Sequence, residues 1–277
     1  MFEYLLLFLF GLVVGSFLSV VVYRETRDEE ADNAPTPWLP AWVLGRSHCD
    51  FCKKELSWYE NIPLLSFLIQ GGKCRHCHKK INLSYPLVEL FTALEFVWIY
   101  WLIQRLTFFR QMEGFFSLGV LAFWLFIFSI SLALAIIDFK SGILPDSLII
   151  AGTVVAVLRL FFTGRWEFLL TGLVLFLFFF LLYKLSYLIY KQEGIGFGDV
   201  KLAFFIGVVL GWWQWVLVAM FVAFLTGAVA GVILIVVKRK TMKSAVPFGP
   251  FLLGGMLIAK VLGEYLWRFY SSGLYLP

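Results

Sequence analysis

Apolar runs too long for a soluble core dominate this chain. Residues 171–190 are almost unbroken Leu, Phe and Val, and comparable runs recur from one end to the other. A helix needs about 20 such residues to cross roughly 30 Å of hydrocarbon. Inside lipid the backbone must satisfy its own polar groups, so only helices and closed barrels can span. No run alternates apolar and polar residues as barrel strands do. The expected fold is therefore an all-α polytopic membrane protein embedded in a lipid bilayer. Composition agrees, with 61% hydrophobic and 15% charged residues, where soluble domains carry about a quarter charged. The runs predict about eight transmembrane helices, at 2–23, 87–103, 115–137, 147–162, 168–190, 201–210, 215–237 and 248–270.

The first run resembles a signal peptide, but Glu3 precedes it and Arg24 follows it. A signal peptide carries its positive charge in front, so a retained helix with its N-terminus outside is expected. Gly11, Gly15, Ser16 and Ser19 give that helix a small-residue face suited to close packing. Residues 25–85 form the one large polar segment. It opens with an acidic, Pro-rich linker over 25–40, and Trp38 and Trp42 suit a membrane interface.

Lys and Arg set the expected orientation. With the first loop inside, Arg24, Arg27, Arg46, Lys53, Lys54, Lys73, Arg75, Lys79, Lys80, Lys140, Lys191, Lys238, Arg239, Lys240 and Lys243 all lie inside. Only Arg105, Arg110, Arg159, Arg165 and Arg268 stay outside, as the positive-inside rule prefers. The net charge of +5 then reflects loop orientation, and no nucleic-acid partner is expected.

Two carboxylates interrupt the apolar runs. Asp138 ends one, and Asp199 closes the turn Gly194-Ile195-Gly196-Phe197-Gly198-Asp199. Acids at membrane depth are costly and mark functional sites. In the expected topology Asp138 ends an inward-going helix and Asp199 begins an outward-going one, which puts both at the cytoplasmic face. Two facing carboxylates share a proton. Such a pair can activate a water and protonate a leaving amine, which is hydrolysis of a peptide bond. Glycines at 194, 196 and 198 suit a backbone that must approach an extended substrate, through unusual dihedrals and the lack of a side chain. The same spacing also suits two helix caps, or pairing of the acids with Lys140 and Lys201. Asp146 is expected to N-cap the helix that follows it.

All four Cys and all three His fall between His48 and His78. Cys49-x-x-Cys52 followed by Cys74-x-x-Cys77 is the pattern of two knuckles on one tetrahedral Zn²⁺. Four protein ligands close the site, so the zinc is expected to be structural. His48, His76 and His78 are possible substitutes as ligands, and a redox role for the Cys pairs is the other option.

Taken together the residues resemble the bacterial type IV prepilin peptidases, also called leader peptidases and N-methyltransferases. The shared blocks include Gly15 to Arg24, Arg46 to Cys52, Leu56 to Ser66, Gly71 to Cys77 and Tyr85 to Glu89. They continue through Asp138 to Asp146, Gly194 to Leu202 and Pro247 to Pro250. The resemblance implies a GxGD-type aspartyl protease of the bacterial inner membrane, with Asp138 and Asp199 as its catalytic pair. It places Gly194, Gly196, Gly198, Lys201, Pro247 and Gly249 around the active site. It implies type IV prepilins or pilin-like proteins as substrates. It also implies N-methylation of the new terminus with S-adenosylmethionine, for which Trp58, Glu60, Asn61, Gly72 and Glu89 are candidates. On this reading residues 1–106 hold the first two helices and the zinc module, and 107–277 hold the peptidase. The chain departs from the family at Ser19, at Glu25-Thr26, before Tyr85, and at Asp50, where a proline is usual. A proton-coupled transporter and a zinc-stabilised scaffold are the competing classes.

Overall fold

A computed structural model describes residues 1–26, 46–105, 117–191, 195–237 and 246–273. Its helices are α1 (Phe2–Glu25), α2 (Leu65–Ile69), α3 (Ser84–Arg105), α4 (Ser117–Ser141) and α5 (Asp146–Thr163). They continue with α6 (Glu167–Tyr190), α7 (Phe197–Leu210), α8 (Trp213–Val236) and α9 (Gly249–Gly273). Among the described residues there are seven helices long and apolar enough to cross a membrane. The protein is thus an all-α polytopic membrane protein, with a small cysteine module between its first two long helices. Glu25, expected to open the linker, instead ends α1; the rest of that linker from residue 27, with Trp38, and Trp42 lie outside the described residues, as do Arg27, Arg110 and the basic cluster at 238–243.

The sixth expected span, over 201–210, behaves differently. It starts at Phe197, earlier than residue 201, and brings Asp199 into its first turn. At 14 residues it rises only about 21 Å, short of the roughly 30 Å hydrocarbon layer. Its apolar surface is covered by protein, not lipid. From Leu202 to Leu210 every residue but the half-buried Phe204 is buried, and Phe205, Ile206 and Val208 are inaccessible. A helix that is apolar all round must be enclosed, and α5, α6, α8 and α9 all pack on it.

The chain divides into two compact units, Met1–Ala133 and Leu134–Pro277. In the first, α1 packs along α3. The small-residue face of α1 makes this possible: a Cβ on Gly11 would lie 2.6 Å from Ala93 Cα, and one on Gly15 would lie 2.7 Å from Glu89 Cα. In the second, α6 and α7 touch backbone to backbone. A Cβ on Gly207 would come within 2.6 Å of Gly172 Cα.

Candidate functional site

The second unit holds both acids. Asp138 lies in the last turn of α4, which Gly142 ends with φ +68° and an N–H bond to the Asp138 carbonyl at 2.8 Å. Asp199 lies in the first turn of α7, after the extended N-cap Gly196. The two side chains are only 4% and 8% exposed, and they lie close enough for their charges to interact. A third element completes the site. Gly249, at the start of α9, donates its N–H to Asp138 Oδ2 at 2.9 Å. The Gly196 backbone bonds the Asp199 carboxylate in the same way.

Leu144, in the short loop after α4, packs against two of the glycines. A Cβ on Gly198 would meet Leu144 Cβ at 3.1 Å, and one on Gly249 would meet Leu144 Cδ2 at 3.3 Å. A Cβ at 249 would also lie 2.6 Å from Asp138 Oδ2, so space requires glycine there, while at 198 it would only press on Leu144. Unusual dihedrals do not enter at 196 or 198: Gly196 is ordinary extended backbone with φ −69°, and Gly198 is helical. Gly194 lies outside the described residues. Pro247 precedes α9 and brings the chain to Gly249.

Neither acid pairs with a lysine among the described residues. Lys201 instead binds Asp146, with Nζ to Oδ1 at 2.6 Å. This corrects the capping role expected of Asp146. Pro145 is the N-cap of α5 and Asp146 sits inside the first turn, with Lys201 on its carboxylate.

The first unit holds the cysteines. Each knuckle is built by the same hydrogen bonds. Cys49 N–H donates to the Lys54 carbonyl at 3.0 Å, and Lys53 N–H returns to the Cys49 carbonyl at 3.0 Å. Cys74 N–H donates to the Lys79 carbonyl and His78 N–H to the Cys74 carbonyl, each at 2.9 Å. Lys53 and His78 take the left-handed turn in the two copies, with φ 58° and 56°. The four Sγ atoms all lie within 4.8 Å of one another, and Cys49 and Cys77 are 3.8 Å apart. A zinc tetrahedron with bonds of about 2.3 Å has edges of roughly 3.8 Å, so the four thiols fit that ion. No histidine belongs to the group. Burial works against a thiolate at Cys74, but backbone N–H groups of Cys77 and His76 and the neighbouring thiols outweigh it. Its pKa falls from 9.0 to about 7, while burial and the neighbouring thiols push Cys49 up to about 11, as when crowded thiols share the cost of ionising. Asp50, where the family pattern has proline, accepts a bond from the Tyr85 hydroxyl at 2.9 Å and ties the first knuckle to the start of α3.

Beside the module lies a cavity of about 680 Å³. Trp58, Glu60, Asn61 and Glu89 all line it. Glu60 closes a capping box with Ser57. Gly72 is not part of the wall. It sits in the left-handed region at φ +68° and bonds back to Phe67, ending the turn after α2.

Comparison with known proteins covers both units. The "Bacterial Peptidase A24 N-terminal domain" matches residues 9–103, and the "Type IV leader peptidase family" matches residues 125–232. A protein of Aeromonas salmonicida (strain A449) named prepilin leader peptidase/N-methyltransferase is 32% identical over 96% of this chain and 93% of its own length. One of the same name from Pseudomonas aeruginosa is 34% identical over 95% and 91%, and one from Legionella pneumophila is 30% identical over 97% and 94%. No solved structure matches the chain.

Proposed function

The chain belongs to the type IV leader peptidase family, and from that premise we propose that it cleaves the leader of type IV prepilins and pilin-like proteins, then N-methylates the new terminus. The observation that carries the peptidase reading is the convergence of Asp138 and Asp199, from two helices, in one buried site.

In this mechanism one carboxylate holds a proton and the other is ionised, because two charges so close and so buried cannot coexist cheaply. The ionised acid takes a proton from water as its oxygen attacks the scissile carbonyl. The protonated acid supports the carbonyl oxygen and then gives its proton to the departing amine. The pair ends with its protons exchanged, so no side-chain nucleophile is required. Gly249 N–H fixes the Asp138 carboxylate for this role. Gly196, where a Cβ would meet nothing nearer than Asp199 Oδ2 at 3.7 Å, leaves room for an extended substrate, and Lys201 and Pro247 frame the site. Charge distribution supports a site at the cytoplasmic face of the inner membrane, with the N-terminus outside.

Residues 1–106 form the methyl-transfer part and 107–277 the peptidase. Cys49, Cys52, Cys74 and Cys77 would hold zinc, which would cross-link the two knuckles structurally. S-adenosylmethionine, when bound, supplies an electrophilic methyl group on a sulfonium. The cavity beside the module offers the room for it. The test is purified protein incubated with a prepilin and the methyl donor, followed by mass spectrometry of both fragments. The expected products are free leader and a mature chain carrying one methyl group. Intact prepilin would overturn the whole proposal, and an unmethylated mature chain would overturn its second half.

A further inference from the structure

Peptide-bond chemistry makes no use of the cavity in the first unit. Its volume of about 680 Å³ falls within the roughly 300–1,000 Å³ usual for small-molecule sites. Ser16 and Phe17 of α1, Trp58 and Asn61 of the 3₁₀ turn Trp58–Asn61, and Tyr85 and Glu89 of α3 contribute to its wall. A buried carboxylate within such a wall requires a compensating partner. Glu89 is 9% exposed. Its Oε2 accepts the Leu64 N–H at 2.8 Å, and the Ser16 hydroxyl also bonds it. A carboxylate has about four acceptor positions, so these two partners leave capacity on the cavity side. No cation among the described residues forms an ion pair with it, although Arg24, Arg46, Lys79 and Lys80 also contribute to the cavity wall. The other buried acid, Glu60, is already engaged: Ser57 N–H donates to its Oε2 at 2.9 Å, and His76 Nε2 lies 3.8 Å from its Oε1.

The backbone around Glu89 is also held out of its ordinary range. Leu64 has φ 57°, a region in which a bulky residue is rarely found. Glu89 grips the N–H of that residue. Strain maintained by surrounding bonds clusters at ligand sites.

We propose that this cavity binds the methyl donor, with Glu89 as the counter-charge to the donor's sulfonium. The proposal rests on the N-methylation reading above. Phe17, Trp58 and Tyr85 bring aromatic rings to the wall, which suit a nucleoside base, and a cation drawn out of water requires an anion beside it. Methyl transfer forms an N–C bond, breaks the S–C bond and leaves the bond pair on a now neutral thioether. The positive charge passes to nitrogen, which releases a proton to water. Glu89 therefore favours the charged donor over the neutral product and is placed to aid exchange between turnovers.

The test compares binding of S-adenosylmethionine and of its neutral product, S-adenosylhomocysteine, to full-length zinc-loaded protein in detergent. Wild-type protein binds both and prefers the donor. In Glu89→Gln the amide oxygen can still accept the Leu64 N–H. The variant should lose roughly 10- to 100-fold affinity for the donor and little for the product. An equal loss for both ligands, or none, overturns the proposal and leaves Glu89 as a clamp on Leu64. Ultraviolet cross-linking of radiolabelled donor to wild-type protein gives a readout free of any variant. Label on peptides from 13–24 or 46–89 is expected. Label elsewhere, with the mature pilin still methylated, overturns this site and leaves the N-methylation reading standing.

Discussion

At the scale of single residues, Asp138 sits at the unfavourable end of its helix. It lies in the last turn of α4, where the helix end carries partial negative charge and an acid is unfavourable. Its carboxylate is instead held by Gly249 N–H. A Cβ at 249 would sit 2.6 Å from Asp138 Oδ2, so Gly249→Ala must displace that carboxylate. We expect the variant to fold and to lose cleavage on the order of 100-fold, read from the rate of prepilin processing. The Lys201–Asp146 pair is a different case. Its side chains are 33% and 59% exposed, and Lys201→Met should cost less than about 1 kcal/mol of stability, read from thermal unfolding in detergent. Both acids were legible in the sequence, because an acid that ends an apolar run stands out. The Gly249 bond and the partner of Asp146 were not. Each joins segments far apart in the chain, and no local pattern records such a pairing. The glycines near Asp199 were legible as a motif, but the dihedral half of the reasoning for them does not hold, since Gly196 is ordinary extended backbone and Gly198 is helical.

At the scale of elements, α7 is the piece the others enclose. Its backbone meets α6 at Gly207 and Gly172. Gly207→Leu should destabilise the protein by about 1–3 kcal/mol or more, since the neighbouring backbone cannot yield as a side chain would. Thermal unfolding would show it, and loss of cleavage should follow because Asp199 rides on the same helix. Helix positions were largely readable from apolar run length. The true extent of α7 was not, because an all-apolar sequence looks alike whether lipid or protein covers it. The cysteine module was legible from Cys spacing alone. The bond from Tyr85 to Asp50 was not, since it links a knuckle to a helix that begins well downstream. Tyr85→Phe removes it and should weaken the module by roughly 0.5–1.5 kcal/mol. Faster zinc release to a chelator is the measurement.

At the scale of the molecule, each compact unit carries its own chemistry: four thiols and a cavity in Met1–Ala133, two acids in Leu134–Pro277. Metal analysis should give about one zinc per chain, as four thiolates hold one tetrahedral ion. Cys74→Ser should lose it, and retention of the metal would count against the four-thiolate site. The long helices could be read from sequence, but the meeting of the acids could only be argued from topology, because it depends on how α4, α7 and α9 pack. That meeting is the centre of the account, and one assay tests it most directly. Purified wild-type, Asp138→Asn and Asp199→Asn proteins, matched for zinc content and monodispersity, are each incubated with a prepilin, and released leader is quantified. The account predicts leader from wild type and none from either variant; leader released at the wild-type rate by either one would contradict it.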